Sequence, residues 1–319
     1  MKTWWIPTIG GYLSSLRDNF CRRDGIGVFS YHGVVEGKSD PRLERNLQLL
    51  STFQSHIKAL RKFRILSLSE LADELSSRSK YRGAMAVITF DDGYANSLLA
   101  FEILAAAHMP WSLFIPTGAV GRENSLWTAE LSLLLLHGRA NQIEIFDRIY
   151  RLNTREECET AYQAIRYPLK SLPAIRRRQI INHIREQFPP EETQRLLHEF
   201  PSLQMLSWNE ISSLSNAGVE IGSHGVDHEI HHSAQSETIR RYELTESKAQ
   251  LEKRLGRPCF FFAFPNGDFT STSPEEVRMA GYKLAFTTQR DVVRRDVNPA
   301  LLPRLEPQDS PYPFAHSIR

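Results

Sequence analysis

The sequence is poor in cysteine and in net charge. Of its 319 residues only three are cysteines, and Cys21, Cys158 and Cys259 lie far apart, without a Cys-x-x-Cys pair. This spacing excludes a disulfide framework and a thiolate zinc site. The 39 basic and 37 acidic side chains give a formal net charge of only +2. Without a basic patch carrying interleaved aromatic residues, nucleic acid is not an expected partner.

Long apolar runs are also lacking, so no stretch has the length of a bilayer-spanning helix. Residues 1–24 do not have the pattern of a signal peptide. Their two tryptophans and scattered basic residues allow a helix on a membrane surface, and a terminal helix packed on the domain is the alternative. We expect a cytoplasmic protein, with peripheral attachment to the inner membrane surface as a further option. The sequence gives no oligomeric state.

Short apolar runs alternate with helical patterns along most of the chain. The predicted strands are 27–32, 85–90, 111–115, 219–222, 260–264 and 283–286, and the predicted helices include 53–63, 97–108 and 237–255. Strands that alternate with helices indicate a parallel sheet. Residues 121–201 read as several helices, which we interpret as an insertion. The expected architecture is an α/β barrel or a doubly wound sheet, in which sites lie at the carboxyl ends of strands.

Two carboxylates, Asp91 and Asp92, directly follow the apolar run 85–90. Adjacent residues of a strand point to opposite faces, so a bend at Gly93 is needed to bring both side chains to one site. Two close carboxylates repel each other unless a cation or a shared proton relieves them. An Asp-Gly surface turn is the alternative interpretation.

Two histidines four residues apart, His224 and His228, follow the strand-like run 219–222. Two imidazoles and one carboxylate would supply three zinc ligands and leave the fourth position open, as in hydrolytic zinc sites. Because His231 and His232 follow, a chance pair in a histidine-rich loop is the alternative. Further on, the strand breaks at Pro265, and the tight turn after it could present backbone N–H groups to an oxyanion or could be purely structural.

In this order, Thr-Phe-Asp-Asp-Gly, His-x-x-x-His and Phe-Ala-Phe-Pro-Asn-Gly resemble the motifs of the polysaccharide deacetylases, carbohydrate esterase family 4. The resemblance spans about residues 26–305 and implies a distorted (β/α) barrel. We expect a catalytic domain at 25–306, with a helical insertion at about 121–201 and a tail at 307–319. The implied metal ligands, for Zn²⁺ or another divalent transition metal, are Asp92, His224 and His228. Asp91 would be the general base, and the backbone N–H of Asn266, after Pro265, the oxyanion donor.

The sequence departs from the family pattern at several positions. Gly225 stands where the family prefers Ser or Thr, Glu229 where Pro is frequent, and Asn266 where Tyr is usual. The C-terminal Leu-x-His that carries the general acid is missing, because the matching stretch reads Leu-Leu-Pro-Arg-Leu and His316 lies too near the terminus.

One branch of the family, the exopolysaccharide deacetylases, carries its acid histidine early, in a Tyr-His-x-Val segment. The run Tyr-His-Gly-Val at 31–34 is similar to that segment, so His32 is the predicted general acid. Arg304 would then orient Asp91 or a substrate carbonyl, with a surface salt bridge as the alternative. Trp127 and Trp208 could form an aromatic wall for a sugar ring, with core packing as the alternative.

The resemblance implies removal of N-acetyl groups from amino sugars of a polysaccharide, oligosaccharide or glycan precursor. Two alternatives stay open: a deformylase or amidase acting on a lipid-linked sugar, and a non-catalytic metal-dependent module that binds glycans. A magnesium phosphatase is disfavoured, because two histidines suit zinc better than magnesium, which prefers oxygen ligands.

Overall fold

The computed structural model describes residues 25–77 and 83–307. The predictions for residues 1–24, for His316 and for the tail from 308 onward therefore concern residues outside the described part. None of the helices within the described ranges has the length and apolar character needed to cross a membrane.

The described residues form eleven strands, ten α-helices and three short 3₁₀ helices. The strands are β1 (Ile26–Tyr31), β2 (Gly33–Val35), β3 (Leu47–Leu49), β4 (Arg64–Leu66), β5 (Met85–Phe90), β6 (Ser112–Ile115), β7 (Gln142–Ile145), β8 (Arg148–Arg151), β9 (Glu220–Ser223), β10 (Phe261–Ala263) and β11 (Leu284–Phe286). The helices are α1 (Leu50–Leu60), α2 (Leu68–Ser76), α3 (Ser97–Ala106), α4 (Trp127–His137), α5 (Arg155–Lys170), α6 (Ala174–Arg185), α7 (Glu192–Glu199), α8 (Trp208–Asn216), α9 (Glu237–Leu255) and α10 (Ser273–Met279), with 3₁₀ turns at Thr117–Ala119, Pro201–Leu203 and Pro265–Gly267.

A parallel sheet in the order β1-β5-β6-β9-β10-β11 organises the domain, and β4 also pairs with β5. The sheet curls. After β11 the chain pairs Leu302 with Phe286 of β11 and Leu305 with Phe29 of β1. Residues 302–305 therefore hydrogen-bond to both outer strands, and Arg304 lies between them. The curled parallel sheet confirms the predicted distorted (β/α) barrel.

The two faces of the curled sheet separate by the two-residue period of the strands. On β5, Ala86, Ile88 and Phe90 pack with the surrounding helices, whereas Met85 and Val87 belong to a second cluster on the inner face. The same period places Asp91 on the inner face, where β5 ends. Buried inner-face residues of the other strands extend the second cluster: Val28, Phe114, Phe261, Ala263, Phe286 and Leu302. Alternation along each strand thus decides which polar residue enters the barrel mouth.

The region between residues 121 and 201 has its own apolar core, built mainly by α4, α5, α6 and α7. The sequence predicts only helices here, and for residues 142–151 that prediction was wrong. β7 and β8 form an antiparallel hairpin whose turn residues, Phe146 and Asp147, have φ values of 54° and 58°. Such two-residue turns favour Asn and Gly. With Phe at the first position and four-residue strands, the hairpin gives little sequence signal.

Candidate active site

One cavity of about 480 Å³ opens at the carboxyl ends of the parallel strands. Seven of the residues predicted for the site line it: His32, Asp91, Asp92, Trp127, His224, His228 and Asn266. Arg304 lines an adjoining cavity together with His32, and Pro265 is buried at the start of the Pro265–Gly267 turn. The fold therefore brings together side chains that are up to 272 residues apart in the chain, His32 and Arg304.

Asp92, His224 and His228 form a buried cluster whose ligand atoms all lie within 4.8 Å of one another. Asp92 Oδ1 is 3.4 Å from His224 Nε2 and 3.2 Å from His228 Nε2. A tetrahedral zinc ion with bonds of about 2.0–2.1 Å would have ligand atoms roughly 3.3 Å apart. The donor types and spacing therefore fit a divalent metal ion.

The imidazole of His224 is held in the tautomer that a metal requires. Its Nδ1 lies 2.8 Å from the Ala263 carbonyl oxygen, which can only accept a hydrogen bond. Nδ1 therefore carries the proton, and in the neutral ring Nε2 faces Asp92 with its lone pair. A carbonyl partner of this kind fixes both ring orientation and ligand atom.

Protonation in the cluster follows from burial and mutual contact. Burial raises the pKa of Asp92, but hydrogen bonds from His224 and His228 outweigh it and hold that pKa well below its usual range. Burial lowers the pKa of His228 against the opposing effect of Asp92. Burial lowers the pKa of His224 too, yet there the neighbouring carboxylates prevail and raise it.

Left-handed backbone at two ligands lets the side chains converge. Asp92 has φ of 72° and Gly93 of 74°, so the chain turns immediately after β5 and carries Asp92 to the same side as Asp91. His228 has φ of 55°. Non-glycine residues adopt such values rarely, and the cost of about 1–3 kcal/mol each is typical of functional sites. The bend that the sequence predicts at Gly93 therefore begins one residue earlier, at Asp92.

Glu243 of α9 hydrogen-bonds to the loop that carries His224 and His228, which we call the histidine loop. Its fully buried carboxylate accepts hydrogen bonds from the backbone N–H groups of Val226 at 2.8 Å and Asp227 at 3.1 Å. Gly225 has φ of 83°, and a Cβ there would collide with the Glu243 carboxylate. Glycine at this departure from the family pattern therefore makes room for Glu243. Sequence analysis missed Glu243, which is one of many charged residues on a surface-like helix pattern.

Glu229, the other residue of this loop that differs from the family pattern, forms ion pairs with the insertion. It is buried and forms ion pairs with Arg177 and, at 3.1 Å, with Arg178, both on α6. Arg177 also lies over the Trp127 ring, 4.6 Å from its centroid. An acidic residue therefore links the histidine loop to α6, at a position where the family frequently has proline.

Asp91 forms a buried, bidentate ion pair with Arg304. The guanidinium nitrogens lie 2.7 and 2.6 Å from the two carboxylate oxygens, and Arg304 Nε donates to the Thr287 carbonyl at 3.1 Å. Burial raises the pKa of Asp91, but the charge of Arg304 outweighs it and lowers the pKa below its usual value. Asp91 is therefore an ionised carboxylate held in one orientation.

His32 lies between β1 and β2, is half-buried and lines the same cavity. Its charge when protonated lowers the pKa of both Asp91 and Asp92, which places it within electrostatic reach of the two carboxylates. Its role as general acid stays a prediction.

The Pro265–Gly267 turn stands at the end of β10, with φ of 59° at Asn266. The Asn266 side chain accepts a hydrogen bond from Lys170 Nζ at 2.5 Å and donates one to Asp268. Lys170 is the last residue of α5, so the insertion contacts the predicted oxyanion turn directly. Nothing in the helical pattern around Lys170 marks this residue, because the contact depends on how the insertion packs.

Of the two candidate tryptophans, one lines the cavity. Trp127 begins α4, and its Nε1 donates to the backbone carbonyl of His228 at 3.2 Å. Trp127 therefore contacts the loop that carries His224 and His228, and its role as a sugar contact stays a prediction. Trp208 packs against the outer core with Arg254 over its ring, and it does not line this cavity.

The adjacent His231 is a core residue. It is fully buried against the rings of Phe262 and Phe264, and neither of its ring nitrogens has a hydrogen-bond partner in the described structure. Burial lowers its pKa from 6.5 to about 3, so it is neutral at physiological pH. Only the pair at 224 and 228 joins the cluster.

Comparison with known proteins identifies a family and structural relatives of the same fold. The family described as polysaccharide deacetylase matches residues 78–285, more than half of the chain. The deacetylase PplD of Streptococcus pyogenes, solved with acetate, is 16% identical, with a TM-score of 0.60 over 92% of this chain and 98% of its own. IcaB of Ammonifex degensii is 20% identical, with a TM-score of 0.55 over 91% and 94%.

A de-N-acetylase of Aggregatibacter actinomycetemcomitans is 16% identical, with a TM-score of 0.52 over 88% of this chain and 93% of its own. At these identities the likeness to solved structures shows the fold alone. No curated protein matches the sequence.

Proposed function

Since this chain belongs to the polysaccharide deacetylase family, we propose that it is a metal-dependent hydrolase that removes N-acetyl groups from amino sugars of a glycan. One observation carries the proposal. The Asp92–His224–His228 cluster and the ion-paired Asp91 line one cavity at the carboxyl ends of the parallel strands. The substrate is a polysaccharide, an oligosaccharide or a glycan precursor.

Asp92, His224 and His228 would hold the metal, and two imidazoles favour zinc over magnesium. A bound zinc ion supplies Lewis acidity and lowers the pKa of a water ligand from about 15.7 toward roughly 7. The proximity of the three ligand atoms, all within 4.8 Å of one another, supports this assignment, because little rearrangement is needed to bind.

The remaining chemistry falls to protein groups. Asp91, held ionised by Arg304, accepts the proton of the attacking water as the C–O bond forms. The backbone N–H of Asn266 stabilises the negative charge that develops on the acyl oxygen. His32, protonated, donates to the sugar nitrogen as the C–N bond breaks, because an amide nitrogen leaves as an amine only when it gains a proton. The products are acetate and a free amino sugar.

The first test is acetate release from N-acetylglucosamine oligomers by wild type and by Asp91→Asn, each loaded with zinc. We expect the variant to retain zinc and lose at least about a hundredfold in rate, as for the loss of a general base. Equal rates would refute the assignment of Asp91. N-formyl and lipid-linked amino sugars, assayed beside the acetyl substrate, decide the acyl group. Release of formate in preference to acetate would show that the enzyme prefers formyl groups. The reaction class, hydrolysis of an amide on an amino sugar, would still stand.

A further inference from the structure

The catalytic cavity is lined by basic side chains that have no role in the proposed chemistry. Besides its histidines, the cavity is lined by Arg42, Arg45, Arg166 and Lys170. Two of these charges are neutralised. Arg42 pairs with Asp40 through two nitrogens, with Nη2 2.5 Å from Oδ2, and Arg45 lies 3.3 Å from a carboxylate oxygen of Glu159.

Arg166 and Lys170 have no acidic partner of this kind among residues 25–77 and 83–307. Arg166 donates to the Tyr167 hydroxyl at 2.5 Å, and its Nε is buried without a hydrogen-bond partner. Lys170 donates to the Asn266 side chain. The charge of Asp268 reaches Lys170 without an ion pair, and one carboxylate oxygen of Asp268 accepts a hydrogen bond from the Asn266 amide.

In this pair the protonated form of Lys170 is disfavoured without a ligand. The two cations stand one helical turn apart on α5, a spacing at which like charges repel. Burial lowers the pKa of Lys170, and the charge of Arg166 lowers it further. A buried donor without a partner adds a desolvation cost. An anion in the cavity would offset the repulsion and the burial of the Lys170 charge, because it would neutralise both cations.

The surroundings fit a sugar that carries the anion. Arg166 lies over the Tyr162 ring at 5.1 Å and over the Tyr167 ring at 4.4 Å, which holds its guanidinium in place. Tyr162 also lines the cavity, so an aromatic ring and an arginine stand on one wall. Lys170 is close enough to Asp92 to sense its charge. The anionic group would therefore lie near the acetamido group that is cleaved.

We propose that Arg166 and Lys170 form a subsite for an anionic group of the substrate, either the carboxylate of a uronic acid or a phosphate ester. The proposal rests on the proposed function, because it names the substrate class of the same cavity. A guanidinium suits both groups, since its fork of donors matches two oxygens of either one.

Two matched substrate pairs test the subsite and separate the two sources. The first pair is an oligosaccharide of N-acetylglucosamine and glucuronate and its methyl ester, and the second is N-acetylglucosamine 1-phosphate and N-acetylglucosamine. In at least one pair, the charged member should show a kcat/KM about tenfold or more above the neutral member, as expected for a charge-assisted hydrogen bond. The pair that responds identifies the carboxylate or the phosphate.

Variants assign the preference to the residues. Arg166→Gln should reduce the charged-to-neutral ratio of kcat/KM about tenfold, and Arg166→Lys should restore part of it. Arg176→Gln, at an exposed arginine of α6 outside this cavity, is the matched control and should keep the ratio. If Arg166→Gln does not fold, Arg166→Lys is compared with the control, and its loss of bidentate contact should still lower the ratio.

Equal kcat/KM within both pairs, or a preference that Arg166→Gln leaves intact, would overturn the subsite while acetate release upholds the proposed function. If no substrate releases acetate, calorimetric titration with glucuronate-containing oligosaccharide and its methyl ester, and with the sugar phosphate and sugar, decides the subsite independently. Binding of a charged probe about tenfold tighter than its neutral partner, lost in Arg166→Gln, supports it. Equal binding rejects it.

Discussion

Replacing Arg304 by leucine tests whether a buried ion pair holds Asp91 in place. Arg304 and Asp91 are 2% and 3% exposed, and two short contacts join them. Arg304→Leu leaves the carboxylate buried without its cation. Breaking a buried pair in this way costs about 3–5 kcal/mol. The hydrogen bond from Arg304 to the Thr287 carbonyl is lost as well, so the cost should lie toward the upper end.

A double-mutant cycle isolates the pair from the other contacts of Arg304. Asp91→Asn keeps an oxygen acceptor but removes the charge. The double variant then has no uncompensated carboxylate, so its loss should fall short of the summed single losses by about 1–3 kcal/mol. The assay is guanidinium unfolding of the zinc-loaded proteins at pH 7, followed by circular dichroism. Arg304→Lys is the control that keeps the charge without the two-pronged contact.

Acetate release in the same samples links the pair to function. Because the orientation of Asp91 depends on Arg304, Arg304→Leu should lose activity even where it remains folded. An unfolding free energy within about 1 kcal/mol of wild type, or single losses that add without coupling, would refute the view that Arg304 supports Asp91.

Three further predictions concern other parts of the site. His32→Gln should lower kcat about 10²- to 10⁴-fold at unchanged zinc affinity, because the leaving nitrogen loses its proton donor; equal kcat, measured by acetate release, would move the acid elsewhere. Trp127→Phe keeps the ring but removes the Nε1 hydrogen bond to His228, so zinc affinity should fall severalfold while glycan KM changes little; the reverse would favour a sugar-binding role. His231 has a folded pKa of about 3 against 6.5 when unfolded, so between these values the unfolded chain binds an extra proton and stability falls with acidification. The slope approaches about 1.4 kcal/mol per pH unit, and His231→Leu should flatten it in urea unfolding from pH 7 to 5; an unchanged slope would contradict the neutral burial of this ring.

Much of the fold and part of the site were predictable because both depend on local periodicity. Apolar runs gave β1, β5, β6, β9, β10 and β11 but not the short parallel strands β2, β3 and β4, and polar residues at strand ends gave Asp91, Asp92 and His224. Along β5 the alternation that buries Met85 and Val87 on the inner face also directs Asp91 there. Their catalytic and metal-binding roles stay predictions.

The contacts that escape sequence analysis are those between segments far apart in the chain. Arg304 reaches Asp91 because residues 302–305 hydrogen-bond to both β1 and β11, and no local pattern encodes that pairing. Lys170 meets Asn266 only because the insertion packs over the strand ends. Gly225 reads as a departure from its family until Glu243, 18 residues later, proves to occupy the space of a side chain.

Adding zinc back to the metal-free protein tests most directly the central claim that the cluster binds a catalytic metal ion. Chelator-stripped wild type and His224→Ala would be titrated with zinc while bound metal and acetate release from N-acetylglucosamine oligomers are followed in the same samples. We predict that wild type regains activity in proportion to one bound zinc per chain and that His224→Ala gains neither. Full acetate release by the stripped protein, or activity unrelated to zinc bound at this cluster, would contradict the account.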